Sequence, residues 1–240
     1  MTELLYQTDS YLTDFESRVL EHNLELHAVL LDRTAFYPGG GGQPYDTGKL
    51  LVDGVEYALK RVRSTPEGVW HILVGNGPLP PVGATVQGSV DWDRRFRLMR
   101  THTAMHVLCG TIFRDYGAQV TGGDMEPLHA RMDFEFENLS KDLVQVIEDS
   151  VNAEIEKAHD VRVKILPRDE AFQIPDLIRT KINLLPEGIQ QVRTVEIVGL
   201  DLQADGGTHV HNTREVKPIK IPEYKSKGKI NKRIYVELQE

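Results

Sequence analysis

Two histidines four residues apart, His102 and His106 in the run RTHTAMHVLCG, form the most chemically suggestive pair in this 240-residue chain. On a helix that spacing places both imidazoles on one face, about one turn apart, where a single metal ion can reach both. A histidine pair also serves as ordinary hydrogen-bonded core, so the metal reading needs a partner. One stands much later, in LQADGGTHVHNT, where Asp205 and His209 flank Gly206 and Gly207. The glycines permit a tight turn that aims both side chains at one point. Three histidines and a carboxylate drawn from a helix and a loop suit a tetrahedral divalent site, with zinc the natural occupant. Thr103 occupies the position where an HExxH metalloprotease carries its general-base glutamate, which disfavours a zinc peptidase. Cys109 shares the stripe of His102, but at ~1.5 Å rise per residue it lies roughly 10 Å along the axis and reads as a small core residue. The constellation points to the active site of a metal-dependent hydrolase.

These side chains need a helix and a loop held by a sheet. Phe96 to Phe113 lacks proline and alternation and is rich in apolar residues, which predicts a largely buried helix under the histidine pair. From Leu24 to about Trp92, short apolar runs alternate with turn signals such as Asp53-Gly54 and Glu67-Gly68, predicting a small β-barrel. Inside that stretch, TAFYPGGGGQP sets Gly39, Gly40, Gly41 and Gly42 before Gln43. Such a run allows close ligand approach, or it is simply a flexible barrel loop. After the helix come a strand from His129 and a helix from about Lys141 to His159, with Ser140 as N-cap and Leu143, Ile147, Val151 and Ile155 recurring every four residues. Further strands are expected at Val161–Leu166, Val192–Val198, near Glu215–Ile221 and at Arg233–Leu238. The predicted class is α+β: residues 1–93 form a glycine-motif barrel domain, and residues 94–240 a metal-binding domain with helices on a mostly antiparallel sheet.

A net charge of −8 argues against a protein that coats nucleic acid indiscriminately. Locally the balance reverses. Lys217 to Arg233 contains six lysines and one arginine against Glu223, and Arg94, Arg95, Arg97 and Arg100 form a second basic cluster beside Asp91 and Asp93. Each run is either a solvated face or a surface for an anionic partner. The first twenty residues contain no apolar run of signal-peptide length and no later stretch approaches membrane-spanning length, so a cytoplasmic protein without a membrane partner is expected. The single cysteine rules out an internal disulfide and fits a reducing compartment.

FYPGGGGQPYDTG, HTAMH, ADGGTHVHNT and the closing KGKINKRIYVEL, in this order, resemble the editing region of alanyl-tRNA synthetase and its free-standing relatives, the AlaX alanyl-tRNA editing proteins. The resemblance runs from about Leu24 to the end and is to the longer AlaX form that keeps the glycine-rich domain. It implies hydrolysis of the ester of tRNA(Ala) mischarged with serine, and in this form also with glycine, by one zinc ion per chain and without ATP or another nucleotide cofactor. By position, His102, His106 and His209 match the family's histidine ligands. Asp205 stands where many relatives have cysteine, so it either binds the metal directly or orients a ligand from outside. Asp205 and His209 would carry the reaction, and Thr121 falls near the polar position that reads the seryl hydroxyl. Gly39 to Gln43, Arg100, Lys227 and Lys229 would meet the acceptor end of tRNA(Ala). A zinc-bound tRNA-binding or synthetase-associated module without hydrolytic activity, and a small-molecule esterase or amidase, are the competing readings.

Overall fold

A computed structural model describes residues 2–180, 185 and 188–240. The chain divides into two compact units, Met1–Phe96 and Arg97–Glu240. In the first, strands β1 (Asp14–Asn23), β2 (Ala28–Leu31), β3 (Gly48–Val52), β4 (Val55–Thr65), β5 (Gly68–Leu73) and β6 (Thr85–Val90) close a barrel in the order β1-β2-β5-β4-β3-β6. Every neighbouring pair is antiparallel, and closure pairs β6 with β1, so the barrel wall has no free edge. Phe15, Ser17 and Val19 of β1 face inward between outward charges, the period-two pattern of a wall wet on one side. Phe15, Val19, Leu31, Phe36, Leu50 and Val62 pack together inside. β1 lies upstream of the stretch whose pattern predicted the barrel; its alternation is carried by serine and charges and is easily missed.

The glycine run is a defined turn. Gly40 and Gln43 exchange both backbone hydrogen bonds, at 3.0 and 2.9 Å, and between them Gly41 and Gly42 take φ of +57° and +87°. A two-residue turn with positive φ at both central positions is natural for glycine and strained for side-chain-bearing residues. Asp46 closes the base of the loop: Tyr37 N donates to its Oδ2 at 2.6 Å, and Asp46 N donates to Tyr37 O at 3.0 Å. Arg95 in turn pairs with Asp46, both side chains wholly buried. Its Nε donates to Asp46 Oδ1 at 2.9 Å, and its other nitrogens donate to Ser10 O at 2.9 Å and Ala35 O at 2.6 Å. Arg95 is therefore a buried brace for the glycine turn and no part of a basic surface.

Helix α1 (Trp92–Tyr116) is longer than expected at both ends. It starts early because Asp91 caps it, its Oδ1 accepting from Arg94 N at 3.2 Å and its carbonyl from Arg95 N at 3.0 Å. Its residues from Arg97 onward belong to the second unit. There β7 (Val120–Glu126), β8 (His129–Glu135), α2 (Lys141–Glu156), β9 (Val161–Pro167), β10 (Gln191–Ile197), β11 (Asp201–Ala204), β12 (Ile219–Lys220), β13 (Tyr224–Ser226) and β14 (Asn231–Leu238) follow. One antiparallel sheet runs β12-β14-β8-β7 with β13 also on β14, and a second runs β9-β10-β11, so the class is α+β as expected. β7 has no counterpart in the sequence expectation, since Gly122, Gly123 and two acidic residues mask its pattern. α2 stops at Glu156, short of His159, as Ala158 turns the chain with φ of +55°. Of the strand expected near Glu215–Ile221, Ile219–Lys220 forms as β12, while Glu215 and Val216 close a short 3-10 turn, Thr213–Val216, fixed by a reciprocal capping box between Asn212 and Glu215. Among the described residues no helix is long and apolar enough to cross a membrane.

Two stability measurements follow. Replacing Arg95 by methionine leaves the Asp46 carboxylate buried without its cation, which costs about 3–5 kcal/mol. Trp70 and Trp92 both lie in Met1–Phe96, so the loss is expected in a urea titration followed by tryptophan fluorescence. In the second unit, Glu154 on α2 accepts from Arg114, from Lys157 at 2.9 Å and from His159 at 2.9 Å. Burial raises its pKa, but these donors outweigh burial and bring it down to about 2. A folded value below the unfolded one of about 4.5 means the stabilisation is full above pH 4.5 and is lost as pH falls towards 2. Glu154→Gln is accordingly expected to lower unfolding free energy by about 1–3 kcal/mol at neutral pH, with the deficit shrinking through that acid window.

Candidate metal centre

α1 carries His102 and His106 on one face, and the loop after β11 carries Asp205 and His209 against it. Asp205 N donates to Arg193 O at 3.1 Å, and Arg193 Nη1 donates back to Asp205 O at 2.9 Å, continuing the β10–β11 pairing. Gly207 N donates to Asp205 Oδ2 at 2.7 Å, a local turn that points the carboxylate inward. Val210 N donates to Thr103 Oγ1 at 3.2 Å and ties the loop to the helix.

All three imidazoles present Nε2 to Asp205. His102 Nε2 lies 3.5 Å and His106 Nε2 3.9 Å from Oδ1, and His209 Nε2 lies 3.0 Å from Oδ2. The ring centroids stand 4.3 to 5.0 Å apart. One ligand atom from each of the four residues falls within 4.8 Å of all the others. In a tetrahedral site with bonds of ~2.0–2.1 Å, neighbouring ligand atoms stand about 3.4 Å apart. The three distances to Asp205 bracket that spacing, so His102, His106, Asp205 and His209 could hold one metal ion. The histidines are only 2 to 6% exposed.

Burial dominates the electrostatics. It drives His102 down to about 4 and, aided by the neighbouring rings, drives His209 well below the usual imidazole value. Burial also opposes a charged Asp205, yet the imidazoles around it outweigh that and hold its carboxylate well below the ordinary range. His106 moves the other way: burial pushes it down, but Asp201 and Asp205 pull it up by more. The cluster thus offers two neutral imidazoles and a carboxylate at neutral pH, the forms a metal requires; uptake displaces protons and weakens in acid.

The other candidate residues lie elsewhere. Thr121 is exposed and donates to Asn231 Oδ1 at 2.9 Å. Arg100 is buried, donating to the carbonyls of Val216, at 3.0 Å, and Gln239. It ties the chain's last strand to α1 and is unavailable as a surface cation, contrary to expectation. Lys227 and Lys229 are exposed, whereas Lys232 of the same basic run is buried, donating to Gly228 O at 2.8 Å and Lys229 O at 2.9 Å. Gly39 to Gln43 form the turn of the barrel unit described above. His211 is exposed, and its amide donates to Glu215 Oε1 at 3.1 Å. Cys109 is buried, and burial pushes its thiol upward. Thr103 and Asp201, both in contact with site histidines, escaped the sequence reading. Thr103 was visible only as an absent glutamate, and Asp201 only by standing one short strand ahead of Asp205.

The chain is thus a closed barrel and an α+β unit that carries a buried His/Asp cluster split between helix and glycine turn. Residues 8–94 match the family of tRNA synthetases class II (A), and residues 192–235 match the threonyl and alanyl tRNA synthetase second additional domain. The chain is 42% identical over 237 residues, 98% of each protein, to the alanyl-tRNA editing protein AlaX-M of Saccharolobus solfataricus. It is 41% identical over 244 residues, 99% of each, to the AlaX-M of Methanosarcina acetivorans. It is also 38% identical over 226 residues to the alanine–tRNA ligase of Pyrococcus abyssi, spanning 92% of this chain and 24% of the ligase. The chain belongs to the AlaX-M family of alanyl-tRNA editing proteins.

The geometry generates a binding measurement. Wild type is expected to take up one zinc ion per chain in competition with a chromophoric chelator. Asp205→Ala is expected to bind more weakly by over about 100-fold, beyond the usual effect of losing a residue outside the coordination shell. Full zinc affinity in Asp205→Ala would place the carboxylate outside the coordination shell.

Proposed function

We propose that the protein is a trans-editing aminoacyl-tRNA deacylase, hydrolysing the ester of tRNA(Ala) mischarged with serine, and secondarily glycine, at a zinc ion held by His102, His106, Asp205 and His209. The observation that carries this reading is the convergence of three buried Nε2 atoms on one carboxylate, in a chain that matches alanyl-tRNA editing proteins along nearly its whole length. When bound, zinc supplies a Lewis acid for the ester carbonyl or the attacking water. Asp205 would balance the ion's charge with one carboxylate oxygen and accept a proton from the attacking water on the other, while His209, 3.0 Å away, would hold the ion through Nε2. The buried rings keep bulk solvent from screening this charge.

In the same reading, Thr121 reads the seryl hydroxyl, exchanging its Asn231 partner for the substrate. One neutral hydrogen bond to that hydroxyl favours the seryl ester over the alanyl one by about tenfold. The exposed Lys227 and Lys229 meet acceptor-stem phosphates, and the Gly39–Gln43 turn is the clamp for the tRNA end. No nucleotide is consumed, and tRNA(Ala) is the partner.

The direct assay is release of labelled amino acid from tRNA(Ala). Zinc-loaded protein is expected to release serine and glycine and spare alanine, to stop after chelation, and to resume with zinc. No turnover of either mischarged tRNA would refute the editing function. Thr121→Val is expected to lower kcat/KM for the seryl substrate relative to the glycyl one by about tenfold, the worth of one neutral hydrogen bond.

A further inference from the structure

An imidazole that gives Nε2 to a metal carries its proton on Nδ1, and a buried N–H needs an acceptor. His209 has one: its Nδ1 stands 3.2 Å from Thr103 Oγ1. His106 Nδ1 is buried and has no hydrogen-bond partner among the described residues. It faces Asp201 Oδ2 at 3.6 Å, and that side chain is wholly buried. A shift of about 0.6 Å would complete a hydrogen bond of ordinary length.

Asp201 is built into this place. Arg179 Nε donates to Oδ1 at 3.2 Å and Gln203 Nε2 donates to Oδ2 at 2.5 Å, so both oxygens are aimed. Arg179 is itself seated on the Phe113 ring, 3.9 Å from its centroid. Gly110, one turn beyond His106 on α1, makes the approach possible, because a Cβ there would lie 2.8 Å from Asp201 Cβ and 3.2 Å from Leu200 Cγ. Burying a carboxylate is costly, and pairing it with Arg179 does no more than offset that cost. What the arrangement adds is an anion behind the ring nitrogen that faces away from Asp205.

We propose that Asp201 is a positioning residue for the metal centre: it accepts the His106 Nδ1 proton, and so fixes that ring's tautomer and orientation and strengthens it as a ligand. The inference rests on the metal reading above. It is tested on the full chain with zinc and with cobalt, by chelator competition and by the visible spectrum of the cobalt-loaded protein. Asp201→Asn, close in shape but uncharged, is expected to weaken zinc binding by about 10- to 100-fold and to shift the cobalt bands. Gln203→Ala, which only loosens the aim of Asp201, is expected to shift the bands in the same direction with a few-fold loss of affinity, and it carries the test if Asp201→Asn does not fold. Wild-type affinity and an unchanged cobalt spectrum in the folded variant would overturn the positioning role and leave the metal reading intact. Failure of the wild type itself to bind zinc would overturn both.

Discussion

The Asp205 carboxylate, enclosed by three imidazoles, is the interaction on which the rest of the structure turns. An isolated carboxylate in that position would be unstable by several kcal/mol. Here it is tolerated because His102, His106 and His209 direct their Nε2 atoms at it and Gly207 and Arg193 hold its loop. The same crowding works against His102 and His209, which burial pushes towards neutrality, so the three rings cannot all satisfy one anion by sharing protons. A divalent cation would resolve the conflict, since it would pair with the carboxylate and accept a lone pair from each neutral ring.

Specific contacts of the second unit hold that enclosure together. The histidine pair comes with the pitch of α1, but His209 must be delivered from another element, and the Val210 N–Thr103 Oγ1 bond pins it there. Gly110 lets β11 approach closely enough to bring Asp201 and then Asp205 to the helix. The first unit uses the same physics for another end. Arg95 and Asp46 neutralise each other with no exposed surface, and the pair sets the base of the glycine turn. In both units a buried arginine holds the backbone of a loop that would otherwise have many conformations, Arg95 through Ala35 O and Arg193 through Asp205 O, and glycine supplies the φ values or clearance the loop needs.

What the sequence revealed was local. His102 and His106 were legible because helical pitch fixes their separation, Asp205 and His209 because Gly206-Gly207 announces a turn, and the α+β class because hydrophobic periodicity changes near α1. What it concealed was tertiary. Whether an arginine is a surface cation or a buried brace depends on which carbonyls and carboxylates the fold brings to it, so Arg95 and Arg100 looked identical to their half-buried neighbours Arg94 and Arg97. Thr103 and Asp201 gain meaning only when the β11 loop meets α1. β7 was hidden for a related reason: its strand is made by pairing with β8, while its own residues, two glycines among them, carry little strand preference.

The most direct test of the metal centre is X-ray absorption at the zinc edge of the full chain loaded with one equivalent of zinc. The expected shell is three imidazole nitrogens and one carboxylate oxygen at about 2.0–2.1 Å, with no sulfur. A sulfur neighbour at about 2.3 Å, which in this chain means Cys109 as its one thiol, or a shell with fewer than three imidazoles, would contradict it.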